Sequence, residues 1–269
     1  MRYRNQILAC AIALATALTS ASACAEDAAG CQKPPAAQTL DTQWPINIGQ
    51  LAQQLVVYRC TDYMKDVAAA VDRAQNWIER RSPEVENPAV VFDIDETSLS
   101  NWDVIYHDRF AYFADGGCVL SSKVACGWHD WFVSARSTAI APTLALFRII
   151  QSLHDKNGGK IPVFFITGRR DEPDMRAATE TNLRKEGFDS WERLFLRPVD
   201  DKGFVSVYKA EARREIEQKY RIIANLGDQY SDLIGEPDNN HAEKCFKIPD
   251  PFYFIPPDLP PLGLKCLSR

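Results

Sequence analysis

The sequence contains no Cys-x-x-Cys pair and only four histidines in 269 residues. A zinc site held by sulfur and imidazole, or a thioredoxin-type dithiol, therefore fits it poorly. No Gly-x-Gly-x-x-Gly follows an apolar run, and no Gly-x-Ser-x-Gly elbow occurs; dinucleotide binding and serine-hydrolase chemistry are set aside. Lys160 in "NGGKIP" lacks both the spacing and the Ser/Thr of a phosphate-binding P-loop. Lysine and arginine form no basic stripe, and the formal net charge is −5, so no nucleic-acid polymer is expected as a partner. Past the N-terminus no apolar run is long enough to span a bilayer, so no transmembrane segment is expected in the mature chain.

The N-terminus has the form of an export signal. "MRYRNQ" is basic, "ILACAIALATAL" is apolar but short, and "ASACAED" offers small residues for cleavage after Ala23 or Ala25. Residues 1–25 are read as a signal peptide, 26–43 as a linker and 44–269 as the folded domain. A periplasmic or secreted location follows; cleavage before Cys24 would give a lipid-anchored form as the second route. A membrane anchor is the rival reading, disfavoured by the short run. Of the eight cysteines, Cys31, Cys60, Cys118, Cys126, Cys245 and Cys266 lie beyond this segment. An even set in an exported chain is expected to oxidise. Cys118 and Cys126 share a short Gly-flanked loop and are expected to pair; the other pairings stay open.

Hydrophobic residues make up 46% and charged residues 25% of the chain, ordinary values for a globular protein with one substantial core. Val67, Val71, Ala74 and Ile78 recur at helical spacing, which predicts a helix over 62–80. "AVVF" (89–92), "IPVFFIT" (161–167), "RLFLR" (193–197), "RIIANLGD" (221–228) and "CFKIP" (245–249) read as strands. Helices are predicted over 142–159, which starts at a Pro and stops at Gly, over 174–186, and around Tyr208, Ala212, Ile216 and Tyr220. Continuous apolar strands alternating with helices predict an α/β fold: a Rossmann-like parallel sheet with helices on both faces, a helical lead-in and a small cap insertion.

Ligands of such sheets bind beyond the carboxyl ends of the strands. There "VVFDIDETSLSNW" places Asp93, Asp95 and Glu96, "ITGRR" places Thr167, and "LGDQYSD" places Asp228 and Asp232. Residues i and i+2 of an extended segment face the same way, so Asp93 and Asp95 can converge. Adding Asp228 would crowd like charges, which calls for a cation. With carboxylates as donors it should be a hard one: magnesium fits, and calcium or manganese could substitute on geometry.

"DIDET", "ITGRR", "YKAEAR" and "NLGDQYSDL" resemble, in order and spacing, the four motifs of the haloacid dehalogenase (HAD) superfamily. More narrowly they are similar to subfamily IIIB, the branch of bacterial outer-membrane acid phosphatases, plant acid phosphatases and vegetative storage proteins, and "CFKIPDPFYFIP" resembles that branch's closing strand. The resemblance spans roughly residues 44 to 257. It implies Asp93 as a nucleophile forming an aspartyl-phosphate, and Asp95 as the acid for the leaving alkoxide and then the base for water. It implies Thr167, Gly168 and Lys209 as phosphate-binding residues. It implies magnesium held by Asp93, Asp228 and the backbone carbonyl of Asp95, with Asp232 orienting Asp228, Lys209 or a metal-bound water. Activity at acid pH is likewise implied by the resemblance. Asp95 argues against dehalogenation, because a halide leaves without an acid.

About 70 residues separate Asp95 from Thr167, far more than a crossover requires. The surplus, about 98–141, is read as a cap over the site. It is rich in aromatics, and Trp102, Tyr106, Trp128 and Trp131 are candidates to stack on a nucleobase or other flat leaving group; a satellite hydrophobic core is the competing reading for any one ring. His107 and His129 are read as ordinary polar surface residues. The sequence thus predicts an exported, magnesium-dependent phosphomonoesterase for small organic phosphates, nucleoside monophosphates among them. A storage or binding protein of the same fold and a phosphotransferase are the alternatives, and a homo-oligomer is compatible with all three.

Overall fold

Five runs form one parallel sheet, in spatial order β5 (Arg193–Arg197), β4 (Val163–Arg170), β1 (Pro88–Phe92), β6 (Arg221–Gly227) and β7 (Cys245–Lys247). The computed structural model describes residues 47–234 and 241–253; the expected signal segment, the linker, Cys24, Cys31 and Cys266 lie outside them. Every residue of β1 is buried, because helices cover both of its faces, and this explains a run with no polar alternation.

The period of two sorts β1 between two cores. Val90 and Phe92 face the larger one, with Phe147, Phe165 and the buried stripe Val67, Val71, Ala74 and Ile78 of α2 (Tyr63–Arg81). Ala89 and Val91 face the smaller one, with Phe164, Ile166, and Ala212 and Ile216 of α7 (Val205–Glu217). Ahead of α2 stands α1 (Ile48–Thr61), which contributes no fully buried residue. The Trp77 indole of α2 ties that helix to the sheet by donating to the Ile223 carbonyl at 2.8 Å.

The chain between β1 and β4 carries the insertion. It leaves through β2 (Leu99–Ser100) and returns through β3 (Thr138–Ala139), which pair antiparallel with Leu99 opposite Ala139. Between them lie α3 (Trp102–His107), α4 (Trp128–Val133) and a disulfide joining Cys118 to Cys126; Cys60 is also disulfide-bonded. The crossover helix α5 (Ala141–Ile150) is shorter than the predicted 142–159. The Ser152 hydroxyl donates to the Ile149 carbonyl at 2.7 Å, and the Asp155 carboxylate accepts from the Asn157 and Gly159 amides. Side chains that satisfy local backbone groups in this way compete with helix, so the helix ends before the Gly-Gly pair. The remaining helices are α6 (Pro173–Lys185) and the single turn α8 (Tyr230–Leu233).

Phe165 sits at the centre of the larger core, ringed by Phe92, Phe147, Phe188 and Trp191. Phe165→Ala should cost about 3–5 kcal/mol of stability, measured by denaturant unfolding. A loss under about 1 kcal/mol would contradict this packing.

Candidate active site

Strand register brings the motifs to one edge. Phe92 is level with Phe165 of β4 and Leu226 of β6, so Asp93, Thr167 and Asp228 follow within two residues of a common line. Past Asp93 the chain folds back at once: the Thr97, Ser98 and Leu99 amides all donate to the Ile94 carbonyl, and the Ser98 hydroxyl donates to the Asp93 carbonyl at 2.6 Å. Glu96 takes a left-handed φ of 56° to make this turn. On β4 the register slips between Thr167 and Arg170, a bulge that takes Gly168 and Arg169 out of the ladder, as bulges beside functional sites do.

Carboxylate oxygens of Asp93, Asp228 and Asp232 lie within 4.8 Å of one another, and all three residues are buried. The Lys209 ammonium, carried in by α7, donates to Asp93 Oδ1 at 2.6 Å and to Asp232 Oδ1 at 2.5 Å. Burial alone would pull the ammonium down, but Asp232 and Asp93 hold it protonated. One ammonium does not balance the cluster. Burial, then repulsion from Asp232, pushes the Asp93 carboxyl well above the usual range despite Lys209. Asp228 is pushed up by burial and by Asp250 and Asp232. Around them burial also raises Glu96, to about 8, and Asp250, to about 7. Buried, uncompensated carboxylates with oxygen as the only donor element fit a hard divalent cation.

The members of the cluster differ in how far they are already engaged. Asp232 has both oxygens taken, Oδ1 by Lys209 and Oδ2 by the Gln229 amide at 2.7 Å. Its carbonyl accepts from Arg213 and Asn225, so it is fixed as an orienting group. Asp228 accepts from the Thr97 hydroxyl at 3.0 Å and from Gln229 Nε2 at 2.8 Å; the same Gln229 amide group also donates to Asp250.

Asp95 stands apart from this cluster. Arg169 grips its carboxylate with Nη2 on Oδ1 at 2.6 Å and Nε on Oδ2 at 3.1 Å, and Asn101 Nδ2 donates to Oδ1 at 2.9 Å. The Thr167 hydroxyl is 3.4 Å from Oδ2 and accepts from the Arg169 amide. Gly168 follows it, with space beside its Cα bounded by Val205. Arg169 and Asn101 were not among the residues picked out by sequence. "ITGRR" displayed the arginine, but a fork aimed at a carboxylate becomes visible only when β4 and the turn after β1 are placed side by side.

The four cap aromatics do not share one role. Trp128 and Trp131 are each 1% exposed, core residues with no face open to a ligand. Trp128 packs against Tyr112, Phe132 and Tyr253, and Trp131 donates its indole N–H to Asn101. Trp102 is partly covered by Tyr106, Phe110 and Phe252, while Tyr106 stays exposed. The two tryptophans of α4 belong to the larger core itself rather than to a separate satellite core. His107 is engaged by Asp108 and the Ser122 carbonyl, and His129 by Glu172 and Asp130. A groove of about 490 Å³ on the β5 side, lined by Arg176, Trp191, Arg193 and Tyr208 among others, contains none of the site carboxylates.

Gly227 is where β6 meets the site. A Cβ there would lie 2.2 Å from Asp232 Cβ, closer than any side chain tolerates. Gly227→Ala should displace Asp232 from Lys209 and lower both thermal stability and turnover, the latter by at least about tenfold. Parent-like values of both would contradict the close approach.

The comparisons with known proteins point the same way. The sequence profile described as HAD superfamily, subfamily IIIB (Acid phosphatase), matches residues 15–256. Acid phosphatase 1 of Solanum lycopersicum is 30% identical over 209 residues, covering 73% of this chain and 74% of the relative. The Stem 28 kDa glycoprotein of Glycine max is 33% identical over 61% of this chain and 59% of its own. Vegetative storage protein 1 of Arabidopsis thaliana is 29% identical over 72% and 60%. Among solved structures, the Class C acid phosphatase from Bacillus anthracis superposes with a TM-score of 0.58 at 20% identity, covering 77% of this chain and 87% of that one, a likeness of fold. With its profile match running across the sheet and all four motifs, this chain belongs to the acid phosphatases of HAD subfamily IIIB.

Proposed function

We propose that this acid phosphatase is an exported, magnesium-dependent phosphomonoesterase that works through a phosphoaspartate at Asp93 on small organic phosphates, nucleoside monophosphates among them. The observation that carries the reading is the buried Asp93 carboxylate at the end of the central strand, with Lys209 on one oxygen and Asp228 beside it. No structural need explains gathering Asp93, Asp228 and Asp232 around a single ammonium.

Asp93 attacks phosphorus as its nucleophilic carboxylate, and the bond from phosphorus to the ester oxygen breaks. The leaving alkoxide takes a proton from Asp95 and departs as the alcohol. Asp95, now ionised, draws a proton from water as that water attacks the aspartyl-phosphate. The bond from phosphorus to Asp93 then breaks, and inorganic phosphate is released. Lys209, Thr167 and Gly168 give the transferring oxygens donors and positive charge in this reading. Magnesium would be held by Asp93, Asp228 and the Asp95 carbonyl; when bound it offsets the charge of the carboxylates and of the phosphoryl group. Asp232 keeps Lys209 in place. A flat leaving group would not stack on Trp128 or Trp131, which are buried, whereas Tyr106 keeps an exposed ring in the insertion.

Export is supported by the basic-apolar-small pattern of residues 1–25 and by the oxidised Cys118–Cys126 pair. No helix among the described residues is long and apolar enough to cross a membrane. The vegetative storage relatives favour one second reading, a storage protein that retains the fold.

Two outcomes separate these readings. Hydrolysis of p-nitrophenyl phosphate should stop with chelator and return with Mg2+; folded protein silent in both conditions would support storage, and turnover indifferent to chelator would remove the metal. Asp93→Asn should lower turnover at least about a thousandfold while the thermal midpoint stays within a few degrees of the parent. Hydrolysis retained at the parental rate would refute Asp93 as nucleophile.

A further inference from the structure

Asn101 is fully buried, and its amide makes a closed set of contacts. Its Oδ1 accepts from the Trp131 indole N–H at 2.8 Å and from the Ser137 hydroxyl at 2.7 Å. Its Nδ2 donates to Asp95 Oδ1 at 2.9 Å and to Glu96 Oε2 at 2.7 Å. The direction of this amide is forced by chemistry. An indole N–H can only donate, so the atom facing Trp131 must be the oxygen, and the NH2 must then face the carboxylates. Ser137 is itself clamped from α6 by Asn182, whose Oδ1 accepts from the Ser137 amide while its Nδ2 donates to the Ser137 carbonyl.

The second donor to Asp95 is braced from the same helix. The Arg169 guanidinium lies 4.0 Å from the centre of the Phe132 ring, and Phe132 follows Trp131 on α4. Adjacent residues of the insertion thus support the two side chains that hold Asp95: Trp131 sets Asn101, and Phe132 covers Arg169. The grip is unequal. Oδ1 receives contacts of 2.6 and 2.9 Å, whereas Oδ2 receives 3.1 and 3.4 Å. Oδ2 is the less engaged oxygen and the one on the side of Thr167.

We infer that Asn101, oriented by Trp131 of the insertion, is a positioning residue for the reaction: it pins Asp95 Oδ1 so that Oδ2 carries the proton to the leaving oxygen. The inference rests on Asp95 being the acid. It gives α4 a part in catalysis without contact to substrate, since a ring expected to stack on the ligand instead sets the acid through one amide.

Its signature is dependence on the leaving group. A poor alkoxide needs the proton as the ester bond breaks, whereas p-nitrophenolate leaves without it. A merely structural defect lowers both rates alike. The measurement is kcat/KM for ethyl phosphate and p-nitrophenyl phosphate with Mg2+, because kcat/KM reports the first, ester-cleaving step and excludes later hydrolysis of the intermediate. Asn101→Ala and Trp131→Phe should each lose at least about tenfold on ethyl phosphate and no more than about threefold on p-nitrophenyl phosphate. Trp131→Phe keeps a ring in the core, so the test stands if Asn101→Ala fails to fold. Asp95→Asn is run beside them. If it discriminates between the esters while Trp131→Phe loses both in equal proportion, or neither, the positioning role is overturned. If Asp95→Asn itself loses both equally, it is the assignment of the acid that has failed, and the positioning role falls with it.

Discussion

The site is organised by a surplus of buried negative charge. Asp93, Asp228 and Asp232 converge within 4.8 Å and meet one ammonium, that of Lys209. At such separations each like-charged pair costs roughly 3–4 kcal/mol for an effective dielectric near 20, and burial removes the water that would otherwise soften it. Burial first, and then the neighbouring carboxylates, displace Asp93 and Asp228 upward in proton affinity. A divalent cation would relieve this repulsion, and the dianionic phosphoryl group of a substrate would then enter a site whose charge had been offset. Acceptance of metal and of phosphate are in this sense one electrostatic property.

The fold delivers these charges to one place from far apart in the chain. Central β1 leads directly into Asp93, β4 bulges after Thr167, and β6 ends at Gly227, whose missing side chain lets Asp232 reach back to Lys209. Two cores of unequal size hold the strands level, and the insertion closes on its own two-stranded ribbon. The site therefore divides into two electrostatic halves. One is the metal-seeking cluster around Lys209. The other is Asp95, drawn off by Arg169 and Asn101 and kept out of the cluster. Separating Asp93 from Asp95 in this way would suit two carboxylates, two positions apart, to the different tasks proposed for them.

Much of this was legible in the sequence, and the reasons are physical. Apolar runs of strand length announced β1, β4, β5 and β6, because burial on both faces leaves little alternation to misread; the short edge strand β7 buries only Phe246. Asp93 and Asp228 were legible as partners because strand ends converge in any open parallel sheet. What escaped was set by side-chain direction. The end of α5 at Ile150 depended on Ser152 and Asp155 satisfying the backbone locally, which outweighed the apolar Leu153 beyond. Trp128 and Trp131 read as ligand-facing because composition counts rings without their orientation; both are core. Asn101 stood in plain view in "SLSNW", yet its importance lies in joining two nearby carboxylates, Asp95 and Glu96, to Trp131 and Ser137, 30 and 36 residues further along the chain. The resemblance to subfamily IIIB supplied the roles of Thr167 and Lys209, which spacing alone would have left as a cap and a solvent-facing helix residue.

The account turns on one divalent ion shared by carboxylates from the ends of β1 and β6. Calorimetric titration of metal-stripped protein with Mg2+ tests it directly, repeated on Asp228→Asn. One ion should bind per chain and raise the thermal midpoint, and the substitution should abolish binding over the same concentration range without unfolding the protein. Absence of Mg2+ binding by the folded parent, or undiminished binding by Asp228→Asn, would contradict it.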